Sequence, residues 1–289
     1  MVAQRFAPTA EDFQDVVAQE PLDLARAALV MARLEFANLD PSASLNRLAE
    51  LGDRSAHAIK PLNGAPASLR LAAIARVVFD EEGFAGNRTH YDDFRNSLLN
   101  VVLERRLGIP ITLALVFIEA ARRAGVEVQG VGFPGHFLMR GPDEDTNERP
   151  VILDPFDAGR PLSEIDLRAL LARMAGDDAP FTPTLLRACT PRQMLARMLG
   201  NLKRTYVEVR SFPQARAATD LMLAVDPTLL SELRDRGLLS YHMDDYTSAL
   251  RDLEDFVRLH AWTDEANHGE RDEIWNHIKN LRRRVAGFN

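Results

Sequence analysis

The chain has 289 residues, enough for one large or two modest domains, and its 46% hydrophobic and 27% charged residues are an ordinary globular balance. A formal net charge of −7 and a pI near 5.6 give no global basic surface for nucleic acid, so direct nucleic-acid binding is not expected. No run approaches the roughly 18 uninterrupted apolar residues of a membrane span, and the opening MVAQRFAPTAEDFQDVV lacks a signal-type apolar core. The single cysteine, Cys189, excludes an internal disulfide and a thiolate zinc site; a cytoplasmic location is the expectation.

The first part reads as helices. PLDLARAALVMARLEF sets Pro21 at a helix opening, with Leu22, Ala25, Leu29, Ala32 and Phe36 near helical spacing. NLDPSA breaks it. LNRLAELGDRSAHAI and PASLRLAAIARVVFDEEGF are two further amphipathic stretches. YDDFRNSLLNVVLERRLG predicts another helix, in which Asn96 and Asn100, four apart, share a face. Gly108 ends it and Pro110 starts the next.

ITLALVFIEAA, residues 111–121, is apolar nearly all round, the mark of a helix buried on most sides. RRAG closes it with cations and a capping Gly125. The pattern then changes. VEVQGVGF, HFLMR and VILDP read as strands, with the polar loop GPDEDTNERP between the last two. They predict a small antiparallel sheet against the buried helix. LSEIDLRALLARMAG is helical again, with Ser163 as N-cap. GDDAPFTPT carries two prolines and a charge cluster, which puts the domain boundary near residue 178.

Residues 179–289 hold an internal repeat. Shifting SFPQARAATDLMLAV by 34 sets Phe212 on Tyr246, Ala215 on Ala249, Met222 on Phe256 and Val225 on Leu259. A period of 34 is that of the tetratricopeptide helix–turn–helix unit. RDEIWNHIKNLRRRV has the character of a capping helix. Two copies are few for a free-standing solenoid, so the repeats are expected to lean on the N-terminal domain.

Thr112, His136 and Asp154 follow in order at separations of 24 and 18 residues. That order resembles the core of the transglutaminase-like, papain-related superfamily, where a cysteine opens a central helix and a histidine and an aspartate follow on strands. More closely, the blocks YDDFRNSLLNVVLERRLGIPITLALVFIEAARRAG, GVGFPGHFLMR and LDPFD resemble the bacterial SirB-type family, over most of residues 20–260. The positions that match it are Arg95, Asn96, Asn100, Gly108, Pro110, Gly135, His136, Asp154 and Pro155. The resemblance implies an α+β fold: a transglutaminase-like core with a buried central helix against a small antiparallel sheet, then all-α repeats. It gives residues 1–178 to a helical scaffold plus that core and 179–289 to the repeats.

Thr112 stands where the superfamily has its thiol. Helix-end electrostatics of about 0.3–2 kcal/mol move a pKa by at most about 1.5 units, enough to poise a thiol but not to make an alkoxide. Ordinary transglutamination or thiol-protease chemistry is therefore not expected, and Cys189, beyond Asp154 in RACTPRQ, reads as structural. Arg95, Asn96 and Asn100 are candidate binding residues. Asp154, before Pro155, has a competing role as a turn-former. His90, His136 and an acid lack metal-ligand spacing, and no metal or cofactor is expected. Three readings stay open: a non-catalytic or degenerate transglutaminase-like protein that binds a protein or peptide, a hydrolase or acyltransferase using a Thr112–His136–Asp154 triad, and a structural adaptor whose cleft is filled. The second requires the Thr112 hydroxyl within hydrogen-bond reach of His136. One that is buried and bonded only to backbone excludes the triad as drawn.

Overall fold

A computed structural model describes residues 2–142, 150–260 and 268–286. Most of the polar loop expected between the second and third strands, residues 143–149, lies outside the described residues. The contacts divide the chain into a core unit, residues 22–198, and a repeat unit, residues 1–21 with 199–289.

In chain order, α1 (Val2–Val17) belongs to the repeat unit. The core unit begins at α2 (Leu24–Met31). Its N-cap is Asp23, whose carboxylate accepts from the Arg26 amide at 2.9 Å, so Asp23 rather than Pro21 opens this helix. A 3-10 turn over Ala32–Leu34 ends it, and Phe36, expected on the apolar face, is 42% exposed. Next come α3 (Ser42–Ile59) and α4 (Ala67–Ala75), the latter running on as a π-helical turn over Arg76–Glu81.

Two-residue strands β1 (Ala85–Gly86) and β2 (Leu107–Gly108) pair in parallel on either side of α5 (Leu99–Arg105). The single long helix expected over residues 91–108 is divided. Phe94–Ser97 is a 3-10 turn capped by Asp93, and Leu98 is extended before α5 starts. Asn96 and Asn100 therefore do not share one helix face. Arg106, in the left-handed region at φ 59°, ends α5 ahead of Gly108.

The central helix is α6 (Pro110–Arg123), with Pro110 at its first position, where a missing N–H costs nothing. Every residue from Pro110 to Phe117 is buried. α6 packs on α3, where Gly52 leaves room for the Arg123 side chain, and Arg123 Nε reaches Asp53 at 2.7 Å. The sheet is a four-stranded antiparallel meander, β3 (Gln129–Val131), β4 (Leu138–Arg140), β5 (Ile152–Asp154) and β6 (Arg160–Pro161). Val131 pairs with Leu138 and Arg140 with Ile152, so these side chains share one face. There Val131, Leu138 and Ile152 meet Leu167, Leu170 and Leu171 of α7 (Glu164–Ala175). Ser163 caps α7 as expected, in a reciprocal box with Asp166.

Residues 179–189 stay with the sheet. Ala179, Phe181, Leu185 and Leu186 pack on the α7 cluster, and the Cys189 amide donates to the Gly130 carbonyl at 2.8 Å. The division in contacts accordingly falls at 198/199 rather than near 178.

Helix α8 (Pro191–Glu208) spans that division. In the repeat unit follow α9 (Phe212–Val225), α10 (Leu230–His242), α11 (Tyr246–Leu259) and α12 (His268–Ala286). The bounds of α9 and α11 are offset by 34 at both ends, as the repeat reading requires. Ala215 and Ala249 are fully buried, and Met222 and Phe256 are buried at equivalent places. The last pair departs from equivalence: Val225 is buried and Leu259 exposed. In α12, Ile274, Ile278 and Leu281 cover Ala249, Leu253 and Phe256, as a capping helix should. At the other end α1, not foreseen as a repeat-packing element, lays Phe6, Phe13, Val16 and Val17 against this unit through α9.

Trp275 packs in the repeat unit, so its fluorescence reports the unfolding of that unit. Phe13 is fully buried, and Phe13→Ala should destabilise this unit by about 3–5 kcal/mol in a urea titration followed by that signal. A change below about 1 kcal/mol would mean that α1 is not part of its core.

A second outcome concerns pH. Lys203 Nζ contacts Glu232 at 2.6 Å and Asp235 at 2.8 Å. Burial opposes the charge of Asp235, but hydrogen bonds from Lys203 and Arg234 outweigh it and hold the carboxyl below its ordinary value. Burial likewise opposes the Lys203 charge, and Asp235 and Glu232 outweigh it and raise the ammonium. The depressed acid contributes stability above its unfolded value near about 4, lost as pH falls through the folded value. The raised amine contributes below its unfolded value near about 10.4, lost as pH rises through the folded one. Lys203→Met should cost about 3–5 kcal/mol at neutral pH and, unlike wild type, regain part of it on acidification as the stranded carboxylates protonate. Parallel pH profiles for the two proteins would contradict this.

Candidate functional site

The site is built at the start of α6 and at the ends of β4 and β5. Pro134 and Gly135 make the tight turn expected before His136, with Gly135 at φ +63° and the His136 amide donating to the Phe133 carbonyl at 3.1 Å. His136 and Asp154 come together. Nε2 of the imidazole lies 2.9 Å from Asp154 Oδ1, and both residues are buried. A carboxylate only accepts, so Nε2 carries the proton and Nδ1 keeps its lone pair in the neutral ring. Among the described residues Nδ1 has no hydrogen-bond partner. The same Asp154 oxygen accepts the Phe156 amide at 2.9 Å, capping the 3-10 turn Pro155–Asp157. Asp154 is thus both histidine partner and turn-former.

Thr112 is not part of that pair. It is fully buried, and each of its hydroxyl contacts runs to backbone. Oγ1 donates to the Asn96 carbonyl at 2.7 Å, lies 3.0 Å from the Ile109 carbonyl, and accepts the Ile109 amide at 3.2 Å. This ties the third residue of α6 back to its N-cap and satisfies a helix-start N–H that has no partner within the helix. Gly108 keeps the socket open, since a Cβ there would stand 2.8 Å from Oγ1.

The candidate binding residues have local partners. Asn96 is fully buried, takes Asn87 Nδ2 at 3.0 Å, and donates to the carbonyls of His90 at 2.7 Å and Tyr91 at 3.2 Å. It staples the loop that carries residues 87–91. Asn100 Oδ1 is buried without a hydrogen-bond partner among the described residues. Arg95 is exposed and bonded to Asp93, whose carboxyl is held below its ordinary value by Arg95 and Arg105 against the opposing effect of burial. His90 is exposed, and no group of three or more His, Cys, Asp or Glu converges to hold a metal among the described residues. Cys189 is half-buried, and burial pushes its thiol up, away from a reactive thiolate.

Five residues around the dyad were not singled out in the sequence reading. The Phe156 ring meets His136 edge-on at 6.3 Å and Tyr91 edge-on at 5.7 Å, while the Arg88 guanidinium lies over it at 4.9 Å. A Cβ on Gly86 would strike this ring at 2.5 Å, so the close approach of β1 requires glycine. Arg197 of α8 gives Nη2 to the carbonyls of Phe133 and His136, pinning the turn from beneath. Phe156 was legible as part of LDPFD. Nothing in the sequence pattern marks Arg197.

A buried helix against an antiparallel meander, with a histidine–aspartate pair at the strand ends, defines a transglutaminase-like domain, here joined to a helical repeat unit. Comparison with known proteins agrees. Residues 42–200 match the transglutaminase-like superfamily and residues 202–279 the tetratricopeptide repeat. A UPF0162 protein of Xylella fastidiosa is 36% identical over 250 residues, 86% of this chain and 87% of its own. A UPF0162 protein of Pseudomonas aeruginosa is 36% identical over 196 residues, 66% of this chain and 68% of its own. Human F-box only protein 21 is 31% identical over 182 residues, 60% of this chain but 28% of its own length. The chain belongs to the UPF0162 family of bacterial transglutaminase-like proteins, whose domain order is the SirB-type architecture.

Thr112→Val removes the hydroxyl and strands the Ile109 N–H and the Asn96 carbonyl, which should lower the opening free energy of α6 by about 1–3 kcal/mol. Thr112→Ser keeps the bonds and loses one methyl, at about 1 kcal/mol or less. Native-state hydrogen exchange of α6 amides measures both. Equal losses would contradict the socket.

Proposed function

We propose that this protein is a non-catalytic interaction module of the cytoplasm, in which the transglutaminase-like core is a binding scaffold and the repeats engage a protein or peptide partner. Tetratricopeptide repeats generally mediate protein–protein contacts, and the domain pair marks the chain as an interaction module. No helix among the described residues is long and apolar enough to cross a membrane.

The observation that carries the non-catalytic reading is the Thr112 hydroxyl. A nucleophile needs its proton within reach of a base and its oxygen open to a substrate carbonyl. Thr112 Oγ1 is fully buried and directs its proton to a backbone carbonyl, so the triad reading loses its nucleophile. His136 and Asp154 then serve the fold: the imidazole bridges the turn before β4 to the end of β5. The use of this domain inside the much longer F-box only protein 21 is consistent with a module joined to different companions.

Labelling with fluorophosphonate and β-lactone probes tests this. The expected result is no adduct on Thr112 in the folded wild type, with partner capture from a lysate of the source cell equal for wild type, Thr112→Val and His136→Ala. A Thr112 adduct that disappears in His136→Ala would establish a working triad instead.

A further inference from the structure

The α7 face of the sheet holds a cavity of about 370 Å³. Arg140 at the end of β4 and Ile152 at the start of β5 contribute from the sheet, Leu162, Leu167 and Arg168 from α7 and its approach, and Phe181 from the segment that follows. Neither His136 nor Asp154 lines it, so this is not the dyad. Its volume lies at the small end of the range for small-molecule pockets.

Its chemistry is two-sided. Ile152 and Leu167 belong to the buried cluster of this face, and Leu162 and Phe181 pack against it, which gives an apolar wall. Both cations of the lining are arginines. The Arg168 guanidinium lies over the Phe181 ring at 4.7 Å, which fixes its plane. Its Nε and Nη2 both go to one oxygen of Glu164, at 3.1 and 2.8 Å. Nη1 has no hydrogen-bond partner among the described residues. Arg140 Nη1 donates to the Leu186 carbonyl at 3.2 Å, which holds this second guanidinium in the wall. A planar guanidinium with a spare N–H beside an apolar wall is suited to the carboxylate of a small amphipathic molecule.

We propose that this cavity binds a small monocarboxylate, with its aliphatic or aromatic body on Ile152, Leu162, Leu167 and Phe181 and its carboxylate at Arg168. The site is separate from the dyad. It gives the core unit a ligand of its own.

Octanoate, octylamine and 1-octanol titrated into the full-length protein test this, read by calorimetry and by amide chemical shifts. Octanoate should bind saturably and shift the amides of Ile152 and Leu167, and octylamine and 1-octanol should each bind about tenfold or more weakly. Arg168 is exposed, so Arg168→Gln should fold normally and weaken octanoate by a similar factor, while Arg173→Gln, an exposed α7 change away from the lining, should not. No saturable octanoate binding to folded wild type would overturn the proposal. So would equal binding of octylamine, an unchanged affinity in Arg168→Gln, or shifts confined to residues outside the cavity.

Discussion

The core unit depends on how one helix begins. α6 is buried on nearly every side, so the free N–H groups of its first turn have no water to satisfy them. Pro110 removes one of these donors, and Thr112 accepts another from Ile109. The same hydroxyl reaches the Asn96 carbonyl, which joins the helix start to the 3-10 turn before α5. Asn96 in turn binds Asn87 and the loop around His90 and Tyr91. A chain of buried hydrogen bonds therefore runs from α6 to the loop that carries Arg88 and Tyr91 against Phe156. Such a network is stiff when complete and costly when broken at one member.

This accounts for a domain that keeps a histidine–aspartate pair without a thiol. A nucleophile at the helix start would have to present its side chain to the imidazole. Here that side chain is turned back onto its own backbone. The imidazole is left with one bond, to Asp154, and an edge-on contact with the Phe156 ring. Arg197 holds the turn by its carbonyls, so the dyad has a fixed place whether or not it meets a substrate. The architecture of the superfamily is retained because the pair, the turn and the strands support one another.

Much of this was legible in the sequence. The nearly unbroken apolar run from Ile111 to Ala121 could only be a buried helix, and the offset of 34 between α9 and α11 was readable from Ala215 and Ala249. The pairing of His136 with Asp154 followed from a family resemblance, since strand register cannot be derived from two short apolar runs. Periodicity failed at residues 91–108. Apolar spacing continued through Leu98, but Asp93 and Asn96 captured backbone groups and broke the helix. It failed also at residues 179–189, where prolines suggested a linker but Phe181, Leu185 and Leu186 had an apolar face to cover. Arg197 could not be foreseen, because its partners are backbone carbonyls, which leave no trace in residue type.

The central claim is that position 112 faces a sealed backbone socket and not the histidine. Its most direct test is a thiol placed there. In a Cys189→Ser background, Thr112→Cys would be titrated with iodoacetamide across pH, with and without His136→Ala. The account predicts alkylation only at the rate of global or local opening, unchanged by His136→Ala. Rapid alkylation through a thiolate formed well below about pH 8.5, and lost with His136→Ala, would contradict it and return position 112 to an active site.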